Sequence, residues 1–110
     1  MKIYVLEQDC DSDIAFTTLE LLFEYVHKQL KNISKKKYYE CGNLIDVKDI
    51  RDINTWRKSV EEKGSYYFEV YGTCENGDHY DNWYVVSAST VNEEIDNVYY
   101  MADERKYYND

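Results

Sequence analysis

Four carboxylates near the N-terminus, Asp9, Asp11, Asp13 and Glu20, fall at the first, third, fifth and twelfth positions of a calcium loop of the EF-hand type. A hard cation needs such a cluster of oxygens. The sixth position, where that loop turns sharply, requires glycine and holds Ile14, a β-branched residue that resists positive φ. The segment before it reads as a strand, where the motif has a helix, and Glu20 has a competing place in a helix-capping box. The four residues therefore read as an acidic approach to a helix N-terminus, whose dipole favours negative charge. Calcium binding by Asp9, Asp11, Asp13 and Glu20 stays open as an alternative. Acid–base catalysis would require a histidine in a constellation. His27 stands beside Val26 and reads as a boundary residue of a helix, while His79 follows a turn among Asp78, Tyr80 and Asp81. Cys10, Cys41 and Cys74 are widely and irregularly spaced, as expected of reduced thiols rather than a zinc or redox motif. The four glycines form no phosphate-binding loop, and no Ser-His-Asp pattern occurs in a recognisable context. Neither enzymatic activity nor a cofactor is expected.

The charge pattern is more informative. The chain has 110 residues with 13 Lys+Arg against 22 Asp+Glu, a formal charge of −9. That balance excludes a protein that wraps a phosphate backbone, because such contacts need a surplus of cations. No apolar run approaches the roughly 20 residues of a spanning helix, and no basic segment precedes an apolar core at the N-terminus. A cytoplasmic protein is expected. At 44% hydrophobic and 16% aromatic residues it can bury a core. Residues 1–30 carry a net charge of −4, residues 31–63 one of +3, and residues 64–110 one of −8. Carboxylates fixed on a rigid surface imitate a row of phosphates and steer toward a basic groove, with interleaved aromatic rings standing where bases stack. The candidate partner-binding residues are Glu69, Tyr71, Glu75, Asp78, Asp81, Glu93, Glu94 and Asp96. The competing reading is a solvated acidic coat that keeps a small protein soluble. The 13 tyrosines divide similarly, between interface rings and ordinary half-buried strand positions under an AT-rich codon bias.

The elements that must position these residues follow from periodicity. Residues 2–7 alternate as a strand, and residues 8–13 form an acidic turn. A helix is expected from Thr17, capped by Thr17 with Glu20 and stapled by Phe16 and Leu21. Leu19, Leu22, Phe23, Val26, Leu30 and Ile33 form one apolar face, and Lys35-Lys36-Lys37 close the helix at its negative end. Residues 38–45 allow a short strand. Residues 46–63 read as helix in two pieces, with Ile50, Ile53, Trp56 and Val60 on one face, Asn54 as a cap and Gly64 as the stop. Arms at 65–73 and 79–89 flank Glu75-Asn76-Gly77-Asp78, a strong hairpin signal. A last helix is expected from Thr90, with Glu93 completing a second capping box. The order β-α-(β)-α-β-β-α predicts an α+β fold, a small, mostly antiparallel sheet with helices on one face. It forms a single domain over residues 1–105, with a frayed tail at 106–110.

The opening MKIYVLEQD, the acidic loop and the phrase IAFTTLELLFEYV resemble the start of small phage and prophage proteins of low-GC Gram-positive hosts, over about 30 residues. The resemblance implies an acidic inhibitor that binds and blocks a nucleic-acid-handling defence enzyme, of the anti-CRISPR or anti-restriction kind. The expected partner is a nuclease or CRISPR effector with a basic groove, without direct nucleic-acid binding. The alternatives are an immunity protein for a nuclease toxin and a calcium-binding or structural accessory phage protein.

Overall fold

The computed structural model describes residues 2–31, 33–40 and 42–90. The elements run β1 (Lys2–Gln8), β2 (Ile14–Phe16), α1 (Leu19–Leu30), β3 (Ile33–Glu40), β4 (Asn43–Leu44), α2 (Val47–Ile50), α3 (Ile53–Lys63), β5 (Ser65–Cys74) and β6 (His79–Thr90). The strands form one sheet in the order β2-β1-β6-β5-β3-β4, and every neighbouring pair is antiparallel. This is the expected α+β fold. The last expected helix, with Glu93, Glu94 and Asp96, and the tail at 106–110 lie outside the described residues.

Strand side chains alternate between faces. The register aligns Leu6 with Val86 and Ile14, Val86 with Tyr66, Tyr84 with Phe68, and Val70 with Tyr38. These residues share one core with Leu19, Leu22, Val26 and Leu30 of α1, Ile50 of α2, and Trp56 and Val60 of α3. All three helices therefore cover the same face. Trp56 is fully buried and sits at the centre of an aromatic group, 4.9 Å from the Phe23 ring centroid, 5.3 Å from Phe68 and 5.7 Å from Tyr66. On the opposite face Ile3, Val5 and Ala15 make a small second cluster.

Several local expectations are corrected. The first helix is capped by Thr18, not Thr17: Thr18 is extended and its Oγ1 accepts from the Leu21 N–H at 3.2 Å. The cause is β2, which pairs Tyr4 with Phe16 and keeps the chain extended one residue further. Phe16 is thus a buried strand residue rather than a staple, and Glu20 is shifted out of the capping-box position. The helix ends at Leu30, and Ile33 and the lysine run belong to β3. The apolar spacing that carried the helix on to Ile33 coincides with the inward position of a strand rich in tyrosine. α3 is capped by Asp52, whose Oδ1 accepts from the Asn54 N–H at 3.0 Å, rather than by Asn54 itself. Gly64 ends α3 with φ 86°, the left-handed geometry that glycine adopts without strain.

Between β3 and β5 the register shifts from Ile33 to Lys35, a β-bulge. Gly72 lies beneath it, where a Cβ would stand 2.1 Å from Ile33 Cγ2 and 2.2 Å from the Lys35 carbonyl oxygen. The bulge requires a residue with no side chain.

Candidate functional site

The face opposite α1, α2 and α3 carries no helix among the described residues; it is built mainly from the β5–β6 hairpin, and Asn76-Gly77 sets its register. Gly77 has φ 91°. Its N–H donates to the Cys74 carbonyl at 2.9 Å, and the Cys74 N–H donates to the Asp78 carbonyl at 2.7 Å. The Asn76 side-chain oxygen accepts from the Asp78 N–H at 3.1 Å. Pairing then runs outward from Thr73 with His79, through Tyr71 with Asp81 and Glu69 with Trp83, to Tyr67 with Val85. All eight residues of these pairs point away from the helices.

β3 extends these rows on the far side of β5, placing Lys35 beside Thr73, Lys37 beside Tyr71 and Tyr39 beside Glu69. Side chains opposite one another on neighbouring strands lie about 5 Å apart, and diagonal ones about 7–8 Å. One row reads Asp81, Tyr71, Lys37; the next reads Trp83, Glu69, Tyr39. On the β1 side Glu7 lies beside Val85, and the loop after β1 is tied down where the Asp9 N–H reaches the Asn82 side-chain oxygen at 3.1 Å. Charge therefore differs across the face: Asp81 and Glu7 stand on β6 and β1, Glu69 stands among the aromatic rings in the middle, and Lys35 and Lys37 stand on β3.

Glu69 organises the centre. Its carboxylate accepts from the hydroxyls of Tyr67 and Tyr71, the latter at 2.9 Å. Those two donors, Tyr67 first, hold its pKa below the usual carboxylate value, and the bond to Glu69 in turn raises the Tyr71 phenol. The Tyr71 ring also meets Tyr39 edge-on, at 5.1 Å between centroids. A ring held at its hydroxyl by Glu69 and at its side by Tyr39 is fixed in orientation, yet Tyr71 remains 39% exposed. Glu75 and Asp78 stand exposed at the tip of the same hairpin.

Of the eight residues expected from the sequence, Glu69, Tyr71 and Asp81 share this face, and Glu75 and Asp78 extend it at one end. The alternation of the hairpin arms about Asn76-Gly77 was sufficient to add Tyr67 and Trp83. No local signal could have supplied Lys35, Lys37 or Tyr39, because their place depends on β3 lying beside β5. The lysines that were expected at a helix end instead flank the acidic residues. Neither of the ion pairs among the described residues, Arg57 with Glu20 and Lys63 with Glu40, joins a lysine of β3 to an acid of the hairpin.

The other candidate groups lie elsewhere. Glu20 turns to Arg57 on α3, away from the loop that carries Asp9, Asp11 and Asp13, and among the described residues no three His, Cys, Asp or Glu side chains converge as a metal site. His27 is half-buried, stacked on Phe23 at 4.0 Å, with Nδ1 2.9 Å from the Phe23 carbonyl. Burial is the main cause that lowers its pKa, opposed by backbone hydrogen bonds at Phe23 and Ile50 and helped by the nearby Lys36 and Arg51 charges. Cys10 is exposed in the acidic loop, where a hydrogen bond to Asp9 raises its thiol pKa and leaves it a poor nucleophile. Among the described residues no helix is long and apolar enough to cross a membrane. Comparison of the chain with protein-family models, with curated proteins and with solved structures gave no match.

Proposed function

We infer that the chain is a non-catalytic inhibitor of the phage type, resembling anti-CRISPR proteins, which docks the face of the β5–β6 hairpin opposite α1–α3, and the hairpin tip, on the basic channel of a nucleic-acid-handling enzyme in the host cytoplasm. One observation carries this reading: Glu69, Tyr71, Asp81, Glu75 and Asp78 occupy one side and one end of a single hairpin whose other side is packed into the core. A surface backed by a packed sheet presents its carboxylates at fixed spacings, about 7 Å between alternate residues of a strand. It loses little side-chain entropy on docking, because hydrogen bonds to Glu69 already orient the Tyr67 and Tyr71 rings. The net charge of −9 adds long-range steering toward a positive groove. The same charge disfavours direct binding to a nucleic-acid strand.

The test is capture from a host lysate by immobilised protein at low and high salt, with a Glu75→Lys/Asp78→Lys/Asp81→Lys variant beside the wild type. The expected result is a nuclease or other nucleic-acid enzyme held at low salt, displaced by added DNA or RNA, and not held by the variant. Identical captured proteins for wild type and variant, unaffected by nucleic acid, would contradict the reading.

A further inference from the structure

At the hairpin end of the face opposite α1–α3 lies an open groove of about 370 Å³, lined by Lys35 and Lys37 of β3, Tyr71 and Thr73 of β5, and His79 and Asp81 of β6. Its volume lies within the range of small-ligand sites. Two cross-strand rows form it: Lys35, Thr73, His79, and beside it Lys37, Tyr71, Asp81. Two strand spacings, about 10 Å, separate the lysine wall from the Asp81 wall. Both lysines are exposed, and neither is ion-paired among the described residues. In a chain of net charge −9, two neighbouring unneutralised ammonium groups form a local exception that suits an anion. The strand backbone at Gly72 and Tyr80 lies between the walls, and the Tyr71 ring lines the groove beside it, hydrogen-bonded to Glu69 and in contact with Tyr39. Fixed rings are stacking platforms for planar heterocycles. On the far wall the Asp81 carboxylate is an acceptor suited to an exocyclic amino group.

We propose that this groove binds a free nucleotide, with the phosphate on Lys35 and Lys37, the base against the Tyr71 ring, and the amino group of the base donating to Asp81. A simple anion uses only the lysines, and an uncharged aromatic compound only the ring; a nucleotide is the class that engages both walls and the ring. A longer strand is disfavoured, because its further phosphates would run against Asp81, Asp78 and Glu75. The site goes beyond partner docking and shares Tyr71 and Asp81 with it, so a bound nucleotide competes with the partner for that end of the face.

The experiment is a titration of the full chain followed by amide NMR, with AMP, adenosine, ribose 5-phosphate, inorganic phosphate and a tetra-adenylate as separate ligands. AMP is expected to move the resonances of Lys35, Lys37, Tyr71 and Asp81, and to bind at least about tenfold more tightly than adenosine, which gives up the phosphate contact, or than ribose 5-phosphate or inorganic phosphate, which give up both the ring and the Asp81 contacts. The exposed pair Lys35→Glu/Lys37→Glu should lose AMP binding with its spectrum otherwise folded. A Glu75→Lys/Asp78→Lys variant should keep it, although it is expected to lose the partner, which separates failure of the groove from failure of the docking face. No AMP-dependent shift at millimolar concentration, equal affinity for inorganic phosphate, tighter binding of tetra-adenylate, or AMP binding undiminished in the lysine variant would each overturn the proposal.

Discussion

Replacing Gly72 with alanine tests how β3 is held beside the hairpin. The new Cβ would stand 2.1 Å from Ile33 Cγ2 and 2.2 Å from the Lys35 carbonyl oxygen. The first obstacle is a side-chain methyl group. The second is backbone, fixed in a strand that pairs with β5 from Ile33 to Tyr39. An ordinary contact requires about 3.5 Å, so the strands must separate by more than an ångström or the bulge must open. Overpacking of this kind costs roughly 1–3 kcal/mol, and the backbone obstacle puts Gly72→Ala toward the upper end. For a domain of this size each kcal/mol shifts the melting temperature by about 4–8 °C, so a fall of about 8–20 °C is expected. Urea unfolding followed by tryptophan fluorescence would supply the free energy, with Ile33→Ala and the double variant completing a cycle. Ile33→Ala removes the methyl clash and leaves the carbonyl clash, so the double variant should recover only part of the loss. A destabilisation below about 0.5 kcal/mol, or full rescue by Ile33→Ala, would refute the reasoning.

Three further outcomes are expected. Burial lowers the His27 pKa below its ordinary 6.5, so the unfolded chain binds more protons than the native one in the window just below that value. Stability should therefore fall as pH drops below 6.5, and His27→Phe, which keeps the stack on Phe23, should flatten that part of a urea-midpoint profile. Glu69→Gln should bring the Tyr71 phenol back toward its ordinary value of 10.0, visible as an earlier step in the ultraviolet titration of tyrosinate. Asp52→Ala removes the cap of α3 and should cost about 1 kcal/mol in thermal unfolding, whereas Asn54→Ala should cost much less.

The sequence was legible wherever one local rule acted alone. Alternation gave β1, the 3.6-residue repeat gave α1, Gly64 marked the end of α3, and Asn76-Gly77 fixed both arms of the hairpin. It was misleading where two rules overlapped. Thr17 and Thr18 both suit a cap, and only the pairing of Phe16 with Tyr4 decides between them. Ile33 fits the apolar repeat of α1 as well as the inward side of a strand. The lysines after it suit a helix end as well as a strand near the edge of a sheet, where charge discourages further pairing. β2 and β4, with three and two residues, are too short to carry a periodic signal. For the candidate site, five acidic or aromatic positions fall together because hairpin register is local. The lysine wall was hidden because β3 meets β5 only after α2 and α3 have been threaded between them.

The docking reading is tested most directly by nucleic-acid cleavage with the captured enzyme, measured against increasing concentrations of wild type and of a Glu69→Lys/Asp81→Lys variant. Full protection of the substrate by the wild type, and at least a tenfold higher concentration for half-protection by the folded variant, is the expected result. Equal protection by the two proteins, or none by either, would contradict it.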